Sequence, residues 1–394
     1  MFETLQTPPP DKILALSAAF RADPRTEKLD LGVGVYKDEA GETVILNTVK
    51  TAERRLLETQ TTKTYVSPAG DEGFNAAMAK LVFGDAVEPA RIAAVQTPGG
   101  TGACRMLAEL VARAERGATV WLPEPTWPNH AGIVRQAGLS FSTYPYFDPE
   151  TLGVDWKGMR SALSHAGPGD VVLIHGCCHN PTGADLTAAQ WGDLAALAAE
   201  REFTPFIDLA YQGFGEGLEA DVAGVRLMAA AVPELLLAAS CSKNFALYRE
   251  RVGCAMALAA TPEAATLVKE SMKALARVNH SMPPDHGAAV VRTILEDPTL
   301  RAEWEAEVAA MRARVLDLRA ALAEGLRARL NDDRFDFLLS HKGMFSRIGA
   351  TPEQVERLRE DHGVYMVGDG RINVAGLNKA GVARLIEALV AAGV

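Results

Sequence analysis

The chain has 394 residues, with 40 basic and 50 acidic side chains and a formal net charge of −10. Its 48% hydrophobic and 23% charged residues are ordinary for a globular protein and exclude wholesale disorder or a fibrous repeat. The acidic balance works against a nucleic-acid-binding face, which needs clustered basic residues, and no run approaches the ~18 apolar residues of a membrane span.

Residues 1–11 contain Pro8, Pro9 and Pro10 and read as an extended N-terminal arm. Glu3 stands where a secretory signal would carry positive charge, and the apolar stretch behind it is short and broken, so a cytoplasmic protein is expected. A helix is expected from about Asp11, a favourable cap, to just before Asp23-Pro24. Leu29 to Tyr36 (LDLGVGVY) reads as a strand broken by two glycines. From about 95 to 260 one pattern repeats: a short apolar run ends in a polar or glycine-rich cluster, and an Ala/Leu-rich helix often follows. The runs are ATVWLP (118–123), DVVLIH (170–175), TPFID (204–208), ELLLAAS (234–240) and GCAMAL (253–258). Such alternation predicts an α/β domain with a mostly parallel sheet. Ala302 to about Leu330 reads as one long helix, because Trp304, Val308, Met311, Val315, Leu318 and Leu322 form a single apolar stripe. Gly325 weakens its last turns. Strands around 344–348 and 371–375 and a final helix complete the chain. The expected division is an arm (1–11), a large domain (46–310) and a smaller α+β domain from 12–45 and 311–394.

The chemistry-bearing residues cluster where ligands bind in open α/β sheets, beyond the carboxyl ends of the strands. Trp127 follows one run in EPTWPNH, and Asn180 follows the next in HGCCHNPTG. Asp208 closes the third, with Tyr211 just after, and Lys243 follows the fourth, with Arg251 beyond it. The loop TPGGTGACRMLAEL (97–110) offers bare backbone N–H groups at a helix start, which suits a phosphate. It fits neither the dinucleotide nor the Walker pattern, so a tight turn before a helix explains it equally well. HGCCH (175–179) has metal-ligand residue types, but a structural zinc site draws on separated segments and no second cluster exists; buried strand-end residues are the better reading. Five cysteines, an odd and sparse set, read as reduced thiols. A lysine directly after an apolar strand is partly desolvated, which lowers its pKa and favours imine chemistry; taken singly such a lysine more often snorkels to the surface, and it is the joint occurrence with the other strand-end residues that favours chemistry.

Taken together, SCSKNFALYRERVG, HGCCHNPTG, DLAYQGF, TPGGTGACR, PTWPNH and GRINVAG resemble the class I aminotransferases. These are fold-type I enzymes that use pyridoxal 5′-phosphate, and the match is to their aspartate and aromatic-amino-acid subgroup. It covers nearly the whole chain in order. FRADPR, SCSKNF, GMFSRIGATPEQV and YMVGD bring it nearest to the bacterial aromatic-amino-acid enzymes.

The resemblance implies a homodimer whose active sites are completed across the interface. Lys243 is then the Schiff-base lysine and moves the proton at the substrate's Cα. Asp208 pairs with the pyridine nitrogen, Tyr211 and Asn180 hydrogen-bond the ring's phenolic oxygen, and Trp127 stacks on the ring. The phosphate falls to Gly100, Thr101, Ser240 and Arg251, with Tyr65 from a second subunit. His130 and His175 support Asp208. Arg371 binds the α-carboxylate, and Arg277 serves the side-chain carboxylate in the neighbouring subunit. Gly34 lets the backbone approach the substrate, Phe345 lines the pocket, and Trp127 and Asn180 also face the substrate. His280 stands where many relatives have Tyr; Met282 and Arg347 are further departures with no assigned role.

The expected reaction moves the amino group of an aromatic L-amino acid (Phe, Tyr or Trp) or L-aspartate to 2-oxoglutarate in a ping-pong cycle. The alternative is an aspartate aminotransferase with little aromatic activity. A lyase or decarboxylase using the same cofactor would share Lys243 and Asp208, whereas Arg277 paired with Arg371 suits diacid transamination. A non-enzymatic regulator would need an added DNA reader, and only an arm and one short helix precede GVGVY. Aromatic donors set a physical problem, since an unpaired guanidinium buried against a ring costs several kcal/mol. Arg277 is therefore expected to swing toward solvent when an aromatic substrate binds.

Overall fold

The computed structural model describes residues 1–7 and 12–394, so Asp11 and the prolines of the expected arm lie outside the described residues. The chain divides into two compact units, one of Val44–Arg314 and His341–Gly343, the other of Met1–Thr43, Val315–Ser340 and Met344–Val394.

The larger unit is built on a seven-stranded sheet: β1 (Ile92–Pro98), β2 (Thr119–Glu124), β3 (Ser140–Pro145), β4 (Val171–His175), β5 (Thr204–Leu209), β6 (Leu235–Ser240) and β7 (Val252–Leu258). The spatial order is β1-β7-β6-β5-β4-β2-β3. Neighbours from β6 through β3 pair in parallel, while β7 runs antiparallel to both β1 and β6. Strands β4, β6 and β7 are buried along their whole length, which is why they read as unbroken apolar runs. Sequence reading missed β1 and β3. SFSTYP of β3 sits at the sheet's edge and exposes half its residues, so it carries no apolar run. In β1 the buried Gln96 and Thr97 hide the strand inside what reads as a glycine loop.

The long helix begins at Pro298 rather than Ala302. Asp297 Oδ1 accepts from the backbone N–H of Thr299 and Leu300 (2.8 and 3.0 Å), and proline is tolerated in a first turn whose N–H groups lack helical partners. Its apolar stripe is buried. Gly325 does not end it: a Cβ there would lie 2.3 Å from Ile386 Cδ1, so the glycine permits a close helix approach.

In the smaller unit Phe345–Arg347 pairs antiparallel with Arg371–Asn373, and Leu29–Asp30 pairs in parallel with Val364–Tyr365. Here the expected strand over 29–36 is corrected: only its first two residues are extended into a ladder. At Gly32, Val33 and Val35 the carbonyls are taken by side chains instead of by a neighbouring strand. Arg371 Nη2 donates to Gly32 O (2.6 Å), and Asn373 Nδ2 donates to Val33 O and Val35 O (2.7 and 2.8 Å). All five cysteines are buried, and none is in a disulfide.

Candidate active site

Register sets the geometry of the carboxyl edge of the sheet. His175 lies beside Asp208, and Asp208 beside Ala238. Because β7 is reversed, its first residues reach this edge: Val252 pairs with Pro98 and Gly253 with Ser240. Arg251, immediately before β7, is thereby carried to the loops that follow β1 and β6. A pocket opens there. Its wall is Gly100 and Thr101 after β1, Trp127 after β2, His175 and Asn180 around the end of β4, Asp208 and Tyr211 at the end of β5, then Ser240, Lys243 and Arg251. Ala210 and Ser242, not singled out from sequence, complete it.

One end of the pocket is built for an anion. The helix Gly99–Ala114 starts with no side-chain cap, so its first N–H groups are available. Gly99 has φ +72°, and a Cβ there would sit 2.5 Å from Arg251 Nη2; one on Gly253 would meet the Gly99 carbonyl carbon at 2.4 Å. Two glycines thus allow the helix start, the reversed strand and a guanidinium to converge. Helix dipole and arginine add to the same positive field. Ser240 Oγ, 3.2 Å from Ser242 Oγ, lies beside them.

Lys243 is partly exposed to the pocket, with Nζ 4.9 Å from the Tyr211 ring centroid. Desolvation lowers its pKa to about 8, Asp208 pulls the other way, and Arg251 adds to the fall. An amine with that pKa is partly neutral near neutral pH and so available as a nucleophile or base.

Asp208 is buried, and burial alone would raise its pKa. The hydrogen bond from His130 Nε2 (2.9 Å), with nearby positive charge that includes Lys243, outweighs this and holds the carboxyl below its ordinary value. Thr126 Oγ1 lies 2.8 Å from His130 Nδ1 and 3.0 Å from His175 Nε2. Its single hydrogen lets it donate to one ring and accept from the other. Burial drives His175 down to about 3, with His130 adding to the fall, so His175 is neutral. Sequence reading missed Thr126, although it lies only four residues before His130. Trp127 stands edge-on to His130 at 5.2 Å.

HGCCH does not continue as an extended strand: β4 ends at His175, and Cys178 has φ +53°. An extended strand through 179 would put His175, Cys177 and His179 on one face, and the turn at Cys178 breaks that arrangement. His179 instead stacks on Tyr146 at 3.9 Å and meets Thr182 Oγ1 at 2.8 Å. Cys177, Cys178 and Asp221 approach one another, but Asp221 already accepts from the N–H groups of Gly213, Gly215 and Glu216 (2.7–2.9 Å) and so organises the loop that begins at Tyr211.

Three other expected site residues gather in the smaller unit. The Arg371 guanidinium lies 4.4 Å from the Phe345 ring centroid, and a Cβ on Gly34 would sit 2.7 Å from Phe345 Cζ. In the larger unit Tyr65 is 87% exposed, and exposed Arg277 hydrogen-bonds the Ser281 hydroxyl. Neither is part of the pocket wall of its own chain. His280 and Met282 are half-buried just beyond the helix Pro262–Asn279 that carries Arg277, and Arg347 Nε donates to Asp369 O (2.8 Å). No helix among the described residues is long and apolar enough to cross a membrane.

The family model for class I and II aminotransferases matches residues 26–389. The chain is 52% identical to an aromatic-amino-acid aminotransferase of Paracoccus denitrificans, with all of both chains covered. It is 46% identical to an aspartate aminotransferase of Escherichia coli, over 99% of this chain and 100% of that one. The structure of an aromatic-amino-acid aminotransferase from Burkholderia pseudomallei, covalently bound to pyridoxal phosphate, superposes with a TM-score of 0.97 at 40% identity, covering 100% of this chain and 99% of that one.

Proposed function

The chain belongs to the class I and II aminotransferases, a pyridoxal-phosphate-dependent family, and from that premise we propose that it moves the amino group of an aromatic L-amino acid or L-aspartate to 2-oxoglutarate. The observation that carries this reading is the half-buried, pKa-lowered Lys243 facing a charged Asp208, with an anion seat at the other end of the same pocket.

The residues present fit the cofactor. Gly100, Thr101, Ser240 and Arg251 suit its phosphate, and the glycine-permitted convergence at residue 99 leaves the N–H groups room to reach it. Asp208 offers a fixed negative charge to a protonated ring nitrogen, Trp127 a flat face, and Asn180 and Tyr211 hydrogen-bonding groups for the ring oxygen. Bound there, pyridoxal phosphate supplies an electron sink for bond breaking at an amino acid's Cα. Lys243 Nζ would take the proton from that carbon and pass it to the cofactor's C4′ carbon, so that the amino group leaves the substrate. His130, Thr126 and His175 keep Asp208 oriented and ionised. Arg371, with Phe345 and Gly34 beside it, takes the substrate's α-carboxylate, since a planar guanidinium matches a carboxylate bidentately.

The exposure of Tyr65 and Arg277 supports a homodimer in which each reaches the neighbour's site. We place this dimer in the cytoplasm, with residues 46–310 as the cofactor domain, 12–45 and 311–394 as the small domain and 1–11 as an arm. Arg277 then meets dicarboxylates and swings outward for rings. A complex with 3-phenylpropanoate in which Arg277 still points inward would overturn that assignment.

The test of the reaction is a half-reaction without oxo acid. L-Phenylalanine and L-aspartate should each bleach the visible absorption of the cofactor-loaded enzyme with comparable efficiency. The 46% identity to an aspartate aminotransferase favours one second reading, an aspartate enzyme with little aromatic activity. Bleaching by aspartate alone would establish it.

A further inference from the structure

In the smaller unit, Phe345 pairs across the ladder with Asn373, and Arg347 with Arg371. Alternate residues of a strand share a face, so Arg371 and Asn373 project together. Both reach the same stretch of chain. Arg371 Nη2 donates to Gly32 O, while the Asn373 carboxamide spends both of its hydrogens on Val33 O and Val35 O. Main-chain bonds close the two ends: Asn373 N donates to Leu31 O and Lys37 N to Ala375 O, each at 2.9 Å. Drawing two carbonyls onto one nitrogen bends the chain at Gly34 and presses its Cα against the Phe345 ring. Asn373 is fully buried, so these bonds form where water does not compete.

We propose that Asn373 is a positioning residue for substrate binding: its carboxamide fixes the Val33–Val35 bend and, through Gly32 O, the orientation of the Arg371 guanidinium. The inference rests on the reading of Arg371 as the α-carboxylate ligand. Every amino-acid and oxo-acid substrate carries that carboxylate, so the effect falls equally on all of them. This separates Asn373 from a residue that sorts aromatic from acidic side chains.

The test uses full-length, cofactor-loaded enzyme carrying Asn373→Ala, Asn373→Asp or Arg371→Ala. Asn373→Ala should raise KM for L-phenylalanine and L-aspartate by the same factor, ~10-fold for two lost buried hydrogen bonds, with kcat little changed. The dissociation constant of unreactive 3-phenylpropanoate should rise in parallel. Amide exchange across residues 31–37 should quicken. Asn373→Asp keeps the volume but turns an acceptor toward two carbonyls, so its KM should be the worse of the two and should recover at low pH as the carboxyl gains a hydrogen. Unchanged KM in either folded variant, a rise confined to one substrate class, or a fall in kcat alone overturns the proposal. If Arg371→Ala itself leaves KM unchanged, the reading beneath it fails; if Arg371→Ala raises KM and the Asn373 variants do not, only this inference fails.

Discussion

The pocket around Lys243 and the cluster around Arg371 are assembled by different means. In the larger unit, backbone ladders do the placing: Asp208 lies beside His175 because β4 and β5 pair in register, and Arg251 arrives because β7 is reversed. In the smaller unit the ladders are two or three residues long, and side chains take over their work, with Arg371 and Asn373 holding carbonyls that no strand reaches. The first arrangement spreads its hydrogen bonds over many residues, so single changes at the rim should alter chemistry more than architecture. The second concentrates them on few side chains, so single changes there should alter geometry.

The largest effect should come from Lys243→Ala. A positioned proton-transfer group contributes about 10²- to 10⁴-fold, so turnover should fall at least that far, and the cofactor should no longer be held covalently. Melting temperature should barely move, because the ladders beneath Lys243 are untouched. A large loss of stability would break the contrast.

The buried imidazoles give the next effect. His175 titrates at about 3 in the folded chain against 6.5 for the free group, burial being the main cause. The unfolded chain therefore binds the extra proton first, and stability should fall as pH drops from about 6.5 toward 3. Burial and neighbouring imidazoles push His179 the same way. Replacing His175 by Gln should flatten this acid limb of the melting-temperature profile. An unchanged slope would show that the site's histidines do not carry it.

The smallest effect sharpens the comparison within one residue type. Gly34→Ala drives a methyl to 2.7 Å from Phe345 Cζ and should cost about 1–3 kcal/mol, together with a weaker substrate KM. In the helix Asn129–Gln136 of the larger unit, a Cβ on Gly132 meets nothing within 4 Å. Gly132→Ala should leave activity alone and add up to about 1 kcal/mol, since alanine is the better helix former. Denaturant unfolding of the pair is the measurement.

Most of the cofactor-pocket reading came from local signals. The runs at 170–175, 204–208 and 234–240 are legible because strands buried on both faces need continuous apolar residues, and Asn180, Asp208 and Lys243 stand out as polar groups at their ends. Two strands of the large sheet escaped notice for the converse reason: β3 is a half-exposed edge, and β1 carries buried Gln96 and Thr97, with the partners of Gln96 coming from distant segments. One such partner is Pro284 O, which accepts from Gln96 Nε2 at 2.7 Å. The stretch LDLGVGVY failed as a strand because its apolar alternation says which residues are buried and nothing about who takes their carbonyls.

The sequence by itself determined which residue types stand at the strand ends, the glycine-to-helix turn at 97–110, the long amphipathic helix and the family to which the motifs belong. These rest on neighbours in the chain, where periodicity and local sterics decide. Only the tertiary structure decided that β7 is reversed, that Thr126 joins two histidines 45 residues apart (130 and 175), and that Asn373 holds the bend at Gly34. Each depends on strand register and on which buried polar group is left needing a partner, and both are settled by packing between distant segments.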